Sequence, residues 1–280
     1  YLQQLELEYP GPFQNRERRA QTSSSDTPWT LLEIPKSPRI LSTITERLET
    51  RALSPSTFSA YLECPLKFWY GYIRQIRIPD EETEQLNAAQ TGNLLHQTLE
   101  KLFEPQIGAL LTPVLLRSLM PQVEQTWKEV RQKNFPWQSF EEGLNAMVDR
   151  MGPQFIHQYL TTEAKAAQRR PALLIGQERP LETSILVDEQ RVKWRGRLDR
   201  LEQLNGRTRI VDFKSGILKN NASELRIKNV ETCFDGEHSK AFQLMCYAWM
   251  AYRSEPEAYA QGLELAILPL QQAEGGPRLL

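Results

Sequence analysis

Cysteine is scarce in this chain: three residues in 280, none spaced as a close pair. That excludes a disulfide framework and fits a reducing, cytoplasmic setting. Long apolar runs are missing too. No stretch reaches the ~18 residues that a membrane helix needs, so no membrane partner is expected. The first residues, Tyr1-Leu2-Gln3-Gln4-Leu5-Glu6, lack the basic head and apolar stretch of a leader peptide. They also lack an initiating methionine, so the chain reads as a piece of a longer protein. A strong charge of one sign is absent as well. The net charge is −1, so the field of the whole molecule does not single out a polyanion as partner. No internal repeat is visible, which excludes a solenoid or propeller.

What is present is a chain long enough to bury a sizeable core, with 40% hydrophobic and 25% charged residues, the balance of a globular protein. Residues 1 to 48 read as an extension, with Gln21-Thr22-Ser23-Ser24-Ser25-Asp26-Thr27-Pro28 as a linker and 29–34 as a short docking strand. From residue 49 to 280 the pattern is that of one domain. Ser54 before Pro55 marks a helix start, and that helix is expected to run over 57–72. It carries Phe58, Tyr61, Phe68, Trp69, Tyr70 and Tyr72, either as core or as a platform for unpaired bases. A second helix is expected over 91–104, stopped by Pro105. Residues 105 to 170 read as a helical insertion, cut into short pieces by Pro113, Pro121, Pro136 and Pro153.

Strands follow at 172–177, 181–187, 192–204 and 208–214. Asn205-Gly206 between the last two is a hairpin signal. Residues 217–240 read as a loop or partly helical passage, 241–249 as helix and 262–268 as a final strand. The order predicts an α/β fold: a mixed central sheet with flanking helices.

The chemistry gathers on the hairpin. One strand carries Arg195-Gly196-Arg197-Leu198-Asp199-Arg200 and the next Val211-Asp212-Phe213-Lys214-Ser215-Gly216. Residues two apart on a strand share a face, so Asp212 and Lys214 point the same way. Pairing of the strands brings Asp199 near Asp212. Two carboxylates can hold a hard divalent cation through oxygen, and an ammonium beside them can steady a developing negative charge. Alone, an Asp-x-Lys tripeptide is most often a solvated strand face. Here it ends an apolar run, and a second acid stands on the paired strand. Between residues 190 and 230 there are eleven Lys or Arg against four Asp or Glu. That local excess can hold phosphates, or simply solvate outward strand faces.

Four motifs in order resemble the PD-(D/E)xK nuclease superfamily, in its RecB/AddB-type branch. They are Gly92-x-x-x-His96-x-x-Leu99-Glu100, Gly196-Arg197-Leu198-Asp199, Val211-Asp212-Phe213-Lys214-Ser215-Gly216 and Gln243-x-x-x-Tyr247. The resemblance implies a restriction-endonuclease-like αβββαβ core and hydrolysis of DNA phosphodiesters with Mg²⁺, or Mn²⁺ in its place. It implies that Asp199 and Asp212 bind the metal, with the Phe213 carbonyl and His96, and that Lys214 is catalytic. Gln243 and Tyr247 would bond DNA phosphate or the site itself. Glu178, Arg197 and Arg200 would support the site or touch DNA. For His96 the plain alternative is a core histidine, for Glu178 a strand-end charge, and for Gln243 and Tyr247 ordinary helix packing.

The resemblance also implies partners: DNA, single-stranded or end-bearing, and a helicase domain or subunit. The expected function is an exonuclease more than an endonuclease, the nuclease module of a helicase–nuclease acting in DNA end resection and break repair. Two alternatives remain: a non-catalytic DNA-binding or helicase-scaffolding domain, and a CRISPR-adaptation-type or phage nuclease. Cys64, in Glu63-Cys64-Pro65, matches the first of four thiolates that hold an iron–sulfur cluster in many AddB-like members. Cys233 and Cys246 do not have the spacing of the other three, so no cluster is expected in this chain.

Overall fold

The computed structural model describes residues 36–76, 85–218, 220–260 and 262–280. The expected linker 21–28 and strand 29–34 lie outside them. Helix α1 (Pro38–Thr50) leads into α2 (Pro55–Glu63), which Ser54 caps by accepting the Thr57 N–H. Ile44 and Leu48 of α1 pack against buried residues of the sheet, although the sequence pattern leaves most of this helix in an extension.

The aromatic helix is not continuous. Cys64 takes an extended conformation, because the residue before a proline is pushed out of the helical region. Pro65 then starts a single turn, Pro65–Phe68, that widens into a π-helical turn, Trp69–Ile73. Phe68 is buried, Phe58, Trp69 and Tyr72 pack half-buried against the core, and Tyr61 and Tyr70 are exposed. Phe58 stacks on Phe242 at 5.4 Å and Phe68 on Tyr72 at 5.2 Å.

Helix α3 (Ala88–Phe103) begins with a capping box. The Asn87 side chain takes the Gln90 N–H, and the Gln90 side chain takes the Asn87 N–H. The insertion follows as α4 (Pro113–Leu119), α5 (Val123–Asn134) and α6 (Gly143–Ala167). Pro153 does not divide it: α6 runs through for 25 residues. Gly152 and Pro153 are both buried there, and a β-carbon on Gly152 would collide with the Trp127 ring. Tertiary packing holds the helix together where Pro153 removes a hydrogen bond.

The sheet has the order β1-β2-β3-β4-β5. Strand β1 (Leu173–Val187) is one strand where two were expected. Being an edge strand, it tolerates Pro180; its register shifts once, between Leu174 and Gly176. Strands β2 (Gln190–Leu204) and β3 (Arg207–Lys214) form the hairpin. Its turn residues Asn205 and Gly206 both take positive φ, 53° and 79°, which matches the twist of paired strands. Helix α7 (Ser239–Ser254) then crosses over so that β4 (Leu263–Pro269) pairs parallel to β3. A two-residue β5 (Arg278–Leu279) closes the edge.

Helices cover both faces. On one, Leu95, Leu99, Trp127, Ile156 and Tyr159 bury Val211 and Phe213. On the other, Phe242, Tyr247 and Met250 of α7 bury Leu198, Leu201 and Ile210. The α/β fold with a mixed sheet, expected from the pattern, is the fold observed.

Candidate active site

Strand β3 lies between β2 and β4, and Asp212 on it is 3% exposed. A buried carboxylate needs partners. Lys214, two residues on, puts its Nζ 2.8 Å from Asp212 Oδ2. The approach is off-axis, so this oxygen makes no hydrogen bond of good geometry and keeps unused acceptor capacity. The ammonium also donates to Gln243 Oε1 at 2.8 Å, and Gln243 Nε2 donates to the Tyr247 hydroxyl at 2.7 Å. Gln243 and Tyr247 are one helical turn apart on α7, so a single helix face serves both. Gly196 leaves room for this face: a β-carbon there would press on Tyr247 and Met250.

The β2–β3 ladder ends at Arg200 opposite Val211. Asp199 lies one residue beyond the end of that ladder. Its Oδ2 accepts the Phe213 N–H at 2.6 Å. Its Oδ1 lies 3.6 Å from His96 Nδ1. Helix α3 delivers that histidine because Gly92, one turn earlier, lets the helix close on the end of β3. A β-carbon at Gly92 would stand 3.0 Å from Ser215 Oγ. Glu178 completes the group from β1. Register sets it opposite Asp199, and its φ of 45° is a costly conformation for a residue with a β-carbon. Ligand atoms of His96, Glu178 and Asp199 all lie within 4.8 Å of one another.

Electrostatics single out the same group. Burial, and then the Asp212 charge, hold the Asp199 carboxyl well above the usual carboxylate range. Burial and the neighbouring Glu100 raise Glu178. Burial lowers His96, more than Asp212 raises it, which favours the neutral imidazole. A neutral imidazole, two carboxylates and an under-bonded Asp212 oxygen fit a hard divalent cation of the Mg²⁺ or Mn²⁺ kind. The Phe213 backbone acts on the His96 imidazole, which sets that peptide beside the acids.

The site residues expected from the sequence mostly converge: Asp199, Asp212, Lys214, His96, Phe213, Gln243 and Tyr247. Glu178 stands among the possible ligands and not behind them, which no pattern of residue types announces. Glu100, beside Glu178, has no role in the sequence pattern beyond its place in the histidine motif. Arg197 is 3.3 Å from Glu178 with its side chain 67% exposed. It continues a row: Arg191, Lys193, Arg195 and Arg197 are all exposed at alternate positions of β2. Arg200 is a correction. It is 1% exposed, its guanidinium bonded to Tyr159, Glu163 and Glu202, so it cannot meet a phosphate. Leu198, two residues earlier on the strand, packs with α7, so the alternation of β2 breaks between Leu198 and Arg200.

Over 200 residues, 64% of its length, the chain is 23% identical to an ATP-dependent helicase/deoxyribonuclease subunit of Carboxydothermus hydrogenoformans. The chain spans only 17% of that relative. A relative of this kind supports a RecB/AddB-type domain. The sequence profile of the PD-(D/E)XK nuclease superfamily matches residues 52–277, and with that span covering most of the chain, it belongs to the PD-(D/E)XK nuclease superfamily.

Proposed function

We propose that this chain is the nuclease module of a helicase–nuclease, hydrolysing DNA phosphodiester bonds at ends opened for resection and break repair, as an exonuclease. The observation that carries the reading is the convergence of Asp199, Asp212 and Lys214 from one hairpin, with His96 and Glu178 beside them. His96, Glu178, Asp199 and Asp212 would hold a divalent cation, with the Phe213 carbonyl. When bound, that cation supplies Lewis acidity and offsets phosphate charge. Lys214 has a separate task. Its ammonium, fixed between Asp212 and Gln243, orients the attacking water and faces the charge that grows on the phosphate. Tyr247 keeps Gln243 in place, so the lysine does not have to be ordered at the moment of reaction.

The relative's name supplies the helicase context. Among the described residues no helix is long and apolar enough to cross a membrane. The test is cleavage of an end-labelled oligonucleotide by the purified chain. Mg²⁺ or Mn²⁺ should be required and excess EDTA should stop the reaction. Lys214→Ala should lose about 10²–10³ in rate, the scale of removing one transition-state donor. Full activity in EDTA would exclude the mechanism. DNA binding without cleavage in either metal would favour the non-catalytic reading.

A further inference from the structure

Strand β1 has a free side. Its outer edge is paired only at the start, where Ala109 and Leu111 bond to Leu174 and Ala172. From there to Val187 no strand adjoins that edge among the described residues. Such an edge is a template for another strand. The direction of its backbone groups follows from its partner. On β2 the Lys193 carbonyl and the Arg195 N–H bond to Leu53, away from β1. Their register partners, Ser184 and Glu182, therefore aim N–H and C=O away from β2, toward the open side. Pro180 and Leu186 belong to the same alternate set. A proline fits there because this set takes no part in the ladder to β2.

Side chains stand at this edge in place of a strand. Arg253 Nη2 donates to the Ser184 carbonyl at 3.2 Å, and Ser254 Oγ to the Glu182 carbonyl at 3.4 Å. Both belong to the exposed end of α7. An open cleft of about 660 Å³ runs along the same residues, within the ~300–1,000 Å³ range of ligand sites. Glu182 and Ser184 line it from β1, Arg191 and Lys193 from β2, and Tyr252 and Arg253 from α7. Three cations thus face one acid. Among the described residues none of the three has a carboxylate partner, whereas Arg179 holds Glu255. Phosphates would answer that charge, but a nucleic-acid backbone has no row of amide donors and acceptors to continue a sheet. An extended peptide has both. Leu186 and Val187, both exposed, prolong the edge with apolar surface.

We infer that the outer edge of β1, over residues 181–187, binds an extended acidic segment of a protein partner by strand addition. The added strand lies about 4.8 Å beyond β1. Its main chain meets the outward groups of Glu182 and Ser184, and its carboxylates meet Arg191, Lys193 and Arg253. The place is separate from the chemistry. Lys193 stands ~20 Å before Asp199 along an extended strand, so an occupied edge leaves the acids and Lys214 open. The inference does not depend on the nuclease reading.

The probe is a fluorescein-labelled octapeptide of alternating Glu and Val, titrated against the full chain by anisotropy. It should bind saturably, and a Lys–Val octapeptide about tenfold or more weaker. Ser184→Pro removes one outward N–H and, as at Pro180, spares the ladder to β2. Affinity for the probe should fall about tenfold. Ser184→Ala keeps the N–H and should stay within about twofold of wild type. Arg253→Glu, at an exposed helix end, should weaken the probe about fivefold or more. Amide exchange reads the same contact without a substitution. The probe should slow exchange at Glu182, Ser184 and Leu186 and leave Thr183 and Ile185, already in the ladder, unchanged. Should Ser184→Pro fail to fold, exchange in wild type and binding by Arg253→Glu decide. No saturable binding, equal binding of the Lys–Val peptide, a folded Ser184→Pro variant that binds like wild type, or no protection of the outward amides would each overturn the inference. So would a single-stranded oligonucleotide that displaces the probe and binds Ser184→Pro as well as wild type, which would assign the cleft to nucleic acid.

Discussion

Asp199 and Arg200 are neighbours on β2, and they belong to two charge clusters of opposite character. Beneath the sheet, Arg200 meets Glu163, Glu202 and the Tyr159 hydroxyl, and Arg209 meets Glu202 at 2.6 Å and Glu264 at 3.3 Å. That cluster is closed: Arg200 and Glu202 are 1% and 0% exposed, and cations stand against anions throughout. At the other face Asp199, Asp212 and Glu178 share one inner ammonium, Lys214, and a histidine whose proton is disfavoured. That cluster is open and holds an excess of negative charge. Closed networks of this kind fix a fold. An open one is stable only if something cationic completes it, and a perturbed carboxylate in a cleft is where such chemistry is found. The difference separates structure from function one residue apart.

The strongest way to break the comparison is to neutralise one member of the open cluster. Asp199→Asn keeps an oxygen for the Phe213 N–H and removes the charge. Cleavage should fall by about 10³-fold or more, since the carboxylates act as a unit. Stability without metal should rise. Asp199 is held above its ordinary range by burial and by Asp212, so its ionised form is destabilising in the folded state. A raised carboxyl weakens the fold as pH climbs through its folded value, and that loss should vanish in the variant. Thermal unfolding in EDTA, run at acid and neutral pH, checks this. The contrast fails if Asp199→Asn melts lower than wild type at neutral pH.

The closed cluster should respond in the opposite way. Arg200→Met leaves Glu163 short of a partner in a buried place, where breaking a buried pair costs about 3–5 kcal/mol. The Tyr159 hydroxyl also loses its donor, although its ring still packs on Phe213 at 5.7 Å. Urea unfolding should show the loss. Cleavage per folded molecule should change far less than in Asp199→Asn. A variant as stable as wild type but inactive would place Arg200 back among the site residues.

How far the sequence could tell these clusters apart depends on the element. Period-two alternation, Asn205-Gly206 and the apolar run before Asp212 made the hairpin and its three charged groups legible. Two features were not legible. Glu178 reaches the site through a left-handed backbone opposite Asp199, a strain with no pattern of residue types. Pro153 continues a helix because Gly152 and Trp127 pack there, a long-range contact that overrides local propensity. Helix α2 ends at Cys64 for a local reason, Pro65, which the aromatic run masked.

The smallest expected effect concerns the row of Arg191, Lys193, Arg195 and Arg197 that leads along β2 to Asp199. Alternate residues on a strand are about 6.6 Å apart, and the row is exposed along its whole length. Its facing residues on β1 are Leu186, Ser184, Glu182 and Pro180. Glu182 faces Arg195 without forming an ion pair among those of the described residues. Cations so placed can meet phosphates before these reach the open cluster, or they can merely solvate the strand. Salt dependence tells the two apart. Each phosphate that is no longer neutralised should lower the slope of log K against log salt by about 0.7 for a single strand. Arg191→Ala, Lys193→Ala and Arg195→Ala together should lower it by about 2, with affinity falling most at low salt. Cleavage at saturating DNA should hold, because Arg197, which pairs with Glu178, is left in place. A slope that matches wild type would return these residues to the role of surface solvation and leave the open cluster as the point where DNA is first gripped.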